Sequence, residues 1–400
     1  MSGAKAGRTV LQGHTDRSFA AVRQAFADNF DRRRELGAAC CIYHQGRKVV
    51  DLWGGIRNRT TGEPWEENTM ALVFSATKGM AATVMALAQS HGWLDYDERV
   101  ATYWPEFAQK GKEQITVRQL LAHQAGLFGF DEPVDATVIA DLDRLAGIME
   151  RQRPEWEPGA WQAYHAISLG FYEGELIRRV DPRHRTLGQV FADEVATPLG
   201  EEFYIRLPAS MPDSRLAPLV LRNPFVNMTE LSPLLLLRAF DKRSVFFRSM
   251  IANPGTTVAL DPVRIYAREL EVPSGGGVGT ARAIAHAYGV LATGGAALGI
   301  RPDTIQALIA PPVPPRHGFR DACMLGDIRF SLGFMRPAPD WSFGGPFSFG
   351  APGAGGSFGY ADPDAGIGYA YVCNRMGRSQ EDPRDVALRT AMTAGLAALA

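Results

Sequence analysis

The 400-residue sequence is poor in lysine and cysteine and has no excess of charge of either sign. Its 42 basic and 43 acidic residues leave a formal charge of −1, which predicts neither a nucleic acid nor an anionic membrane surface as a partner. No segment approaches the ~20 consecutive apolar residues of a membrane helix, and the first residues lack the apolar run of a secretory signal. These absences predict a cytoplasmic protein.

The four cysteines and eight histidines form no recognisable metal site. CxxC and HExxH are absent, and no glycine-rich segment has the spacing of a nucleotide-binding loop. The sequence therefore predicts no metal and no cofactor. Cys40 and Cys41 are adjacent in a strand-like segment, so we expect their side chains to lie on opposite faces of a sheet as small apolar residues.

Strand-like segments occur near both ends of the chain, and helical patterns dominate between them. The predicted strands are residues 37–44, 48–55, 328–335 and 356–372, of which the first two form one hairpin and the last segment another. The predicted helices include residues 17–34, 76–90, 115–123, 166–180, 280–292 and 386–399. Prolines interrupt residues 207–262, where the pattern predicts no definite element.

This order of elements predicts an α+β fold, in which an antiparallel sheet is flanked by N- and C-terminal helices and a mostly helical region is inserted. We assign residues 1–85 and 271–400 to a sheet domain and residues 86–270 to a helical domain with long loops that line the active site. A chain of this length with 46% hydrophobic residues can bury a large core without disulfides. The sequence does not indicate an oligomeric state.

The first candidate site is Ser75, which is followed three residues later by Lys78 at the start of a predicted helix. Residues three apart lie on one helical face, so the lysine amine can accept the serine proton if burial lowers its pKa. The spacing alone is weak evidence, since a serine helix cap beside a solvated lysine would produce it too. Lysine is scarce, however, with six of the 42 basic residues, and an arginine could not act as this base.

Tyr164 and His165 form a second candidate, just before a predicted helix. The tyrosine can relay a proton if a neighbouring cation lowers its pKa, and the histidine can act as a base. The structural alternatives are a core tyrosine with its hydroxyl at the rim and a histidine that hydrogen-bonds its neighbours.

The third candidate is the glycine-rich segment 350–359, which contains the pattern GxSxG around Ser357. Small residues there permit close backbone approach by a ligand. A nucleophile elbow requires a strand, a turn and a helix, with an acid and then a histidine downstream, whereas the last histidine, His317, lies upstream. We therefore reject Ser357 as a nucleophile.

Five segments resemble, in order, the motifs of the serine β-lactamase-like superfamily, which includes class C β-lactamases, DD-peptidases and family VIII carboxylesterases. FSATKG around Ser75 resembles the nucleophile motif, LLAHQAGL the LLxHxSGL segment, and WEPG with AYHA the tyrosine motif in its esterase-like YxA form. GGGVGTARAIAHAY resembles the glycine-turn–helix segment, and GAPGAGGSFGYADP the K/H-x-G strand. The resemblance is closest to the family VIII carboxylesterases, and it implies the β-lactamase/transpeptidase-like fold.

The resemblance also implies a role for each matching residue. Ser75 would be the acylated nucleophile, Lys78 its general base, and Tyr164 would assist proton transfer to and from the leaving group. The oxyanion and substrate-binding residues would be Ser75, Ala354, Gly353 and His165. The expected reaction is the two-step hydrolysis of a small or short-acyl ester through an acyl-enzyme.

Two positions depart from the superfamily pattern. Ala351 stands where many relatives carry Lys or His, and Ala166 where β-lactamases often carry Asn. Both departures favour an ester over a β-lactam, whose carboxylate a cation at position 351 would contact. A β-lactamase, a D-amino-acid amidase or an acyltransferase with the same three residues are the enzyme alternatives, and a catalytically degenerate binding or scaffold protein is another. Substrate specificity is expected to reside in residues 207–262 and 128–138.

Overall fold

The computed structural model describes residues 11–221, 232–257, 260–261, 263–378 and 381–399. Its strands are β1 Leu11–Thr15, β2 Gly37–His44, β3 Arg47–Asn58, β4 Glu63–Pro64, β5 Ala71–Leu72, β6 Phe203–Tyr204, β7 Val278–Gly279, β8 Arg329–Ser331, β9 Phe334–Arg336, β10 Phe349–Pro352, β11 Phe358–Asp362 and β12 Ile367–Cys373. Nine of them form one antiparallel sheet in the order β1-β3-β2-β12-β11-β10-β9-β8, with β4 paired to β3.

The centre of this sheet joins the two ends of the chain. β2 pairs with β12 from Ala38–Cys373 to His44–Ile367. The two predicted hairpins are confirmed, since β2 pairs with β3 and β11 pairs with β12. The second hairpin turns through residues 363–366, where the Pro-Asp pair predicts a turn.

The prediction of a single strand over residues 328–335 is wrong, because this segment is the hairpin β8–β9. Leu332 and Gly333 form its turn with positive φ angles of 50° and 86°. The N–H of Gly333 donates to the carbonyl of Leu121 at 3.0 Å, which ties the turn to the inserted region. A leucine in a left-handed conformation is uncommon, so the apolar pattern hides this turn.

Helices cover both faces of the sheet. The α-helices of the described residues are α1 Ala20–Arg32, α2 Thr77–Ser90, α3 Val100–Tyr103, α4 Val117–Leu121, α5 Ala136–Ala140, α6 Leu142–Arg151, α7 Ser168–Val180, α8 Leu187–Phe191, α9 Thr197–Leu199, α10 Pro233–Phe240, α11 Val245–Met250, α12 Ala281–Ala292, α13 Pro302–Ile309 and α14 Pro383–Ala397. α1 and α14 pack together on one face, and α12 lies on the other against β2, β11 and β12.

Two glycines let α12 approach the sheet closely. A Cβ atom at Gly368 in β12 would lie 2.1 Å from the backbone nitrogen of Gly289 in α12, so the backbones of the strand and the helix are in direct contact here. The prediction for the adjacent cysteines is confirmed on the same sheet. Cys40 packs in the cluster under α1 and α14, and Cys41 packs in the cluster under α12.

The inserted region surrounds α2, in which every residue except Gln89 is buried. Alanines and methionines along α2 allow α7 and α8 to pack against it. A small three-stranded sheet, in the order β5-β7-β6, lies at its N-terminal end. Residues 207–262 contain α10 and α11, and part of this stretch lies outside the described residues. The domain division at residues 85 and 271 stays a prediction.

Among the described helices, none has both the length and the apolar character needed to cross a membrane.

Candidate active site

Ser75 lies in a tight turn between β5 and α2. Residues Phe74–Ala76 form one 3-10 turn, and Phe74 has a φ of 47°, a left-handed conformation that is rare for an aromatic residue. The hydroxyl of Thr77 holds this turn, because it donates to the carbonyl of Phe74 at 2.5 Å and accepts from the N–H of Gly277 at 2.9 Å. A Cβ atom at Gly277 would lie 2.5 Å from that hydroxyl, which explains why glycine stands there.

Lys78 lies one helical turn beyond Ser75, as the spacing predicts, and only 4% of its surface is exposed. Its Nζ lies 3.3 Å from Ser75 Oγ, 2.6 Å from the carbonyl oxygen of Ala166 and 2.8 Å from that of Ser274. Burial lowers the pKa of Lys78 to about 7. A substantial fraction of this lysine is therefore neutral at neutral pH.

The two carbonyl groups orient the amine for proton acceptance. A neutral amine has two N–H bonds and one lone pair, and the carbonyls of Ala166 and Ser274 can accept both N–H bonds. The lone pair then faces Ser75 Oγ. When Lys78 is protonated, its third N–H occupies that direction, and the serine proton has no acceptor there.

Tyr164 completes the contacts around Ser75. Its hydroxyl donates to Ser75 Oγ at 2.8 Å, and its ring stacks on Phe330 with the two centroids 5.7 Å apart. Burial raises the pKa of Tyr164 above its ordinary value, so the phenol stays protonated. The condition considered above, a neighbouring cation that lowers this pKa, is therefore not met, because burial has the largest effect on the phenol.

Ser249 in α11 holds the segment that carries Tyr164, and no sequence pattern singled it out. Its hydroxyl donates to the carbonyl of Tyr164 at 2.7 Å and accepts from the N–H of Ala166 at 3.2 Å. Ser249 therefore fixes the backbone from Tyr164 to Ala166, the segment that carries both the Tyr164 side chain and the carbonyl that binds Lys78. Its own position falls within residues 207–262, where the apolar pattern predicts no element.

His165 is fully buried and does not contact Ser75. Its Nε2 accepts from the N–H of Leu127 at 3.1 Å, and its Nδ1 lies 2.6 Å from the carbonyl of Ala163, so the proton is on Nδ1. Burial lowers its pKa to about 4, which keeps the ring neutral. Both ring nitrogens are thus engaged, and neither is available as the base or the substrate contact that the sequence suggests; the ring positions its neighbours instead.

Residues 353–356 form a turn beside Ser75 at the end of β10. Gly353 approaches the chain so closely that a Cβ atom there would lie 2.1 Å from the carbonyl oxygen of Val73. The N–H of Gly353 donates to Ser357 at 2.7 Å, whereas the N–H groups of Ser75 and Ala354 donate to no other described residue. Two unpaired N–H groups are therefore available near the serine, and that of Gly353 is not one of them.

Glu173 in α7 is a buried carboxyl that the motifs do not reveal. Neither of its oxygens has a hydrogen-bond partner in the described part of the chain. It lies where α7 meets α2, since a Cβ atom at Gly333 would be 3.2 Å from Glu173 Oε1 and 2.7 Å from Ala82 Cβ. Burial raises the pKa of Glu173 to about 8. Its spacing from Leu169 and Leu176, on one helical face, is the signal that could have found it.

Replacing Glu173 by Gln is expected to stabilise the protein most at pH 8. The folded pKa of about 8 lies above the ordinary value of 4.5, so stability is lost as the pH rises between these values. The Gln side chain does not titrate, so the variant should not show this decrease in the free energy of unfolding, which is on the order of a few kcal/mol. Urea unfolding at pH 5 and pH 8 measures the difference between the two proteins.

Glu175 provides the matched control for this measurement, because it lies two residues away and pairs with Arg178 and Arg179. Glu175→Gln should show no gain that grows with pH. A difference between wild type and Glu173→Gln that stays constant from pH 5 to pH 8 would contradict the raised pKa of Glu173.

A large antiparallel sheet with helices on both faces, and a serine and lysine at the start of one buried helix, defines the β-lactamase/transpeptidase-like class of serine hydrolases. Comparison with known proteins agrees: the Beta-lactamase family matches residues 22–392. The chain belongs to this family.

Individual relatives refine this assignment. The chain is 35% identical over 379 residues to the esterase/beta-lactamase LipL of Mycobacterium tuberculosis, across 94% of this chain and 85% of that protein. A solved family VIII carboxylesterase is 36% identical with a TM-score of 0.84, and the match covers 96% of this chain and 100% of the other. EstA from Arthrobacter nitroguajacolicus is 29% identical with a TM-score of 0.83, over 97% and 100% of the two chains. The predicted fold and the resemblance to family VIII carboxylesterases are confirmed.

Proposed function

We propose that this protein is a serine carboxylesterase that hydrolyses small or short-acyl esters through an acyl-enzyme on Ser75. The observation that carries the proposal is the pair of contacts at Ser75 Oγ, with the Lys78 amine at 3.3 Å and the Tyr164 hydroxyl at 2.8 Å. A buried amine with a pKa of about 7 can accept the serine proton at neutral pH, which a solvated lysine cannot do.

In the first step, Ser75 Oγ attacks the carbonyl carbon of the ester while its proton passes to Lys78 Nζ. The carbonyl oxygen becomes an oxyanion, which the unpaired N–H groups of Ser75 and Ala354 would stabilise. The carbon–oxygen bond to the alcohol then breaks. The leaving alkoxide takes the proton of the Tyr164 hydroxyl, and the Lys78 ammonium returns a proton to Tyr164.

In the second step, water attacks the carbonyl carbon of the acyl-serine. Lys78 and Tyr164 accept the proton of that water as the second oxyanion forms in the same place. When the bond to Ser75 breaks, the serine oxygen regains a proton from the same pair. The acid leaves, and the resting contacts at Ser75 are restored.

The residues around the site favour an ester over a β-lactam. Ala351 presents a buried methyl group, so this position offers no positive charge to a substrate carboxylate. Ala166 contributes a backbone carbonyl to Lys78 and has no side-chain amide to offer a substrate. The similarity to a family VIII carboxylesterase over 96% of this chain supports the same preference.

The experiment that tests the proposal compares p-nitrophenyl butyrate, nitrocefin and a D-amino-acid amide under identical conditions. We expect the highest kcat/KM for the ester, together with one covalent adduct on Ser75 after treatment with a fluorophosphonate probe. A higher kcat/KM for nitrocefin or for the amide would assign the corresponding alternative activity. Acyl transfer to an added alcohol that exceeds hydrolysis would assign an acyltransferase, and absence of both adduct and turnover would assign a scaffold protein.

A further inference from the structure

A second cleft, of about 650 Å³, shares no lining residue with the site around Ser75. Arginines from three segments line it: the C-terminal end of α1, the residue after β3, and the connection from β12 to α14. The exposed or half-buried ones are Arg32, Arg33, Arg34, Arg59, Arg375 and Arg378. A seventh, Arg384, is buried at the base of the cleft.

Two nearby carboxylates, Asp382 and Glu35, form ion pairs with Arg384. Asp382 is the acidic residue in the lining, and its Oδ1 and Oδ2 accept from the Arg384 guanidinium at 2.8 and 3.0 Å. Its Oδ2 also accepts from the backbone N–H of Arg378 at 2.9 Å. Glu35, which is fully enclosed, pairs with Arg384 at 2.8 Å. These two acids therefore hold Arg384 in place.

Four of the outer arginines have no acidic partner among the described residues: Arg33, Arg34, Arg59 and Arg375. Arg33 donates to the side-chain oxygen of Asn29 at 3.2 Å, and Arg375 donates to the carbonyl of Arg34. Burial and the neighbouring charge of Arg384 lower the pKa of Arg375.

Arginines elsewhere in this protein are usually paired. Arg178 contacts the carboxylates of Asp143 and Glu175, and Arg185 contacts those of Asp181, Asp193 and Glu194. Arg32 pairs with Asp28, but Arg33, Arg34, Arg59 and Arg375 concentrate positive charge in the cleft that no carboxylate among the described residues pairs with, and we take an anion to be the counter-charge.

We propose that this cleft binds a small phosphorylated molecule. Guanidinium groups make paired hydrogen bonds to phosphate oxygens, and a phosphoryl group offers more oxygens than a carboxylate to arginines that come from three segments. The volume is that of a small-molecule site. Leu221, which is 61% exposed, and Met376 add apolar surface to one side, against which a non-polar part of the ligand can lie.

The test is a calorimetric titration with inorganic pyrophosphate at constant ionic strength. Wild type should bind one equivalent saturably, and Arg34→Gln/Arg59→Gln should bind about tenfold more weakly or worse. The control Arg301→Gln/Arg316→Gln removes the same charge from exposed arginines elsewhere and should bind like wild type. Absence of saturable binding to wild type, or equal affinity in the cleft variant, would overturn the proposal.

Three further measurements keep the result decisive. Citrate should bind more weakly than pyrophosphate, and tighter citrate binding would overturn the phosphoryl assignment. Protein blocked at Ser75 by fluorophosphonate should bind pyrophosphate unchanged, whereas loss of binding would place the anion at Ser75 instead. If the double variant fails to fold, Arg59→Gln alone gives the answer, because that side chain contacts no described residue through a hydrogen bond or ion pair.

Discussion

Replacing Ser75 by Ala is expected to lower kcat for p-nitrophenyl butyrate by about four orders of magnitude or more. Lys78 and the Tyr164 hydroxyl both contact the Ser75 hydroxyl, so its removal leaves the base and the proton relay with no nucleophile to activate. Folding should be unaffected, because the hydroxyl makes no hydrogen bond to the backbone of any residue that the structure describes. Initial rates, with thermal unfolding measured in parallel, separate loss of chemistry from loss of structure.

Ser357 is the matched control for this substitution. It lies at the end of the 353–356 turn, within the pattern GxSxG, and its hydroxyl accepts from the N–H of Cys373 at 3.4 Å. Ser357→Ala should keep most of the activity and still form the fluorophosphonate adduct. Loss of the adduct in Ser357→Ala and its survival in Ser75→Ala would identify Ser357 as the nucleophile.

Replacing Lys78 by Met is expected to lower kcat/KM by roughly 10²–10⁴-fold, the range for loss of a general base. In wild type, kcat/KM should rise with pH through about 7, because only the deprotonated amine can accept the serine proton. The variant should lack this rise. Lys78→Arg should be equally impaired, since a guanidinium does not lose its proton at these pH values. Rates between pH 5 and pH 9 measure both effects.

Lys112 is the matched control for Lys78, because it tests what the loss of a buried lysine does when that lysine does not contact Ser75. It is also enclosed, its Nζ donates to the carbonyls of Glu150 and Gln152 at 2.6 Å each, and burial lowers its pKa to about 8. Lys112→Met should lower stability but preserve kcat and the pH dependence of kcat/KM. If Lys112→Met removed that pH dependence and Lys78→Met did not, the assignment of the base would be wrong.

The Ser75–Lys78 contact follows from short-range information, and the superfamily motifs identify Tyr164. Ser75 and Lys78 share a helical face because they are three residues apart. Tyr164 lies within the AYHA motif that the superfamily pattern identifies, and the fold brings it to Ser75 from 89 residues away. Ser249 and Glu173 were not predicted, because their roles depend on how α11 and α7 pack in three dimensions. The turn at Leu332 was missed for a local reason, a left-handed leucine inside an apolar run.

The net charge also did not indicate a local cluster of positive charge. A formal charge of −1 predicts no strong field, yet arginines gather in the second cleft from residues 32–34, from residue 59 and from positions 375, 378 and 384. These segments are far apart in the sequence, and the strand pairing of β3 with β2 and of β2 with β12 brings them together. Composition averages over the whole surface, so it cannot reveal such a concentration.

The pairing of β2 with β12 also constrains how the protein is made. Residues 37–44 leave the ribosome more than 300 residues before their partners, residues 367–373, are synthesised. Until then, the β2–β3 hairpin has a hydrogen-bonding edge with no neighbour, and such an edge promotes association with other chains. The sheet closes only after residues 367–373 have been synthesised, so slow folding and a need for protection of the nascent chain follow from the topology.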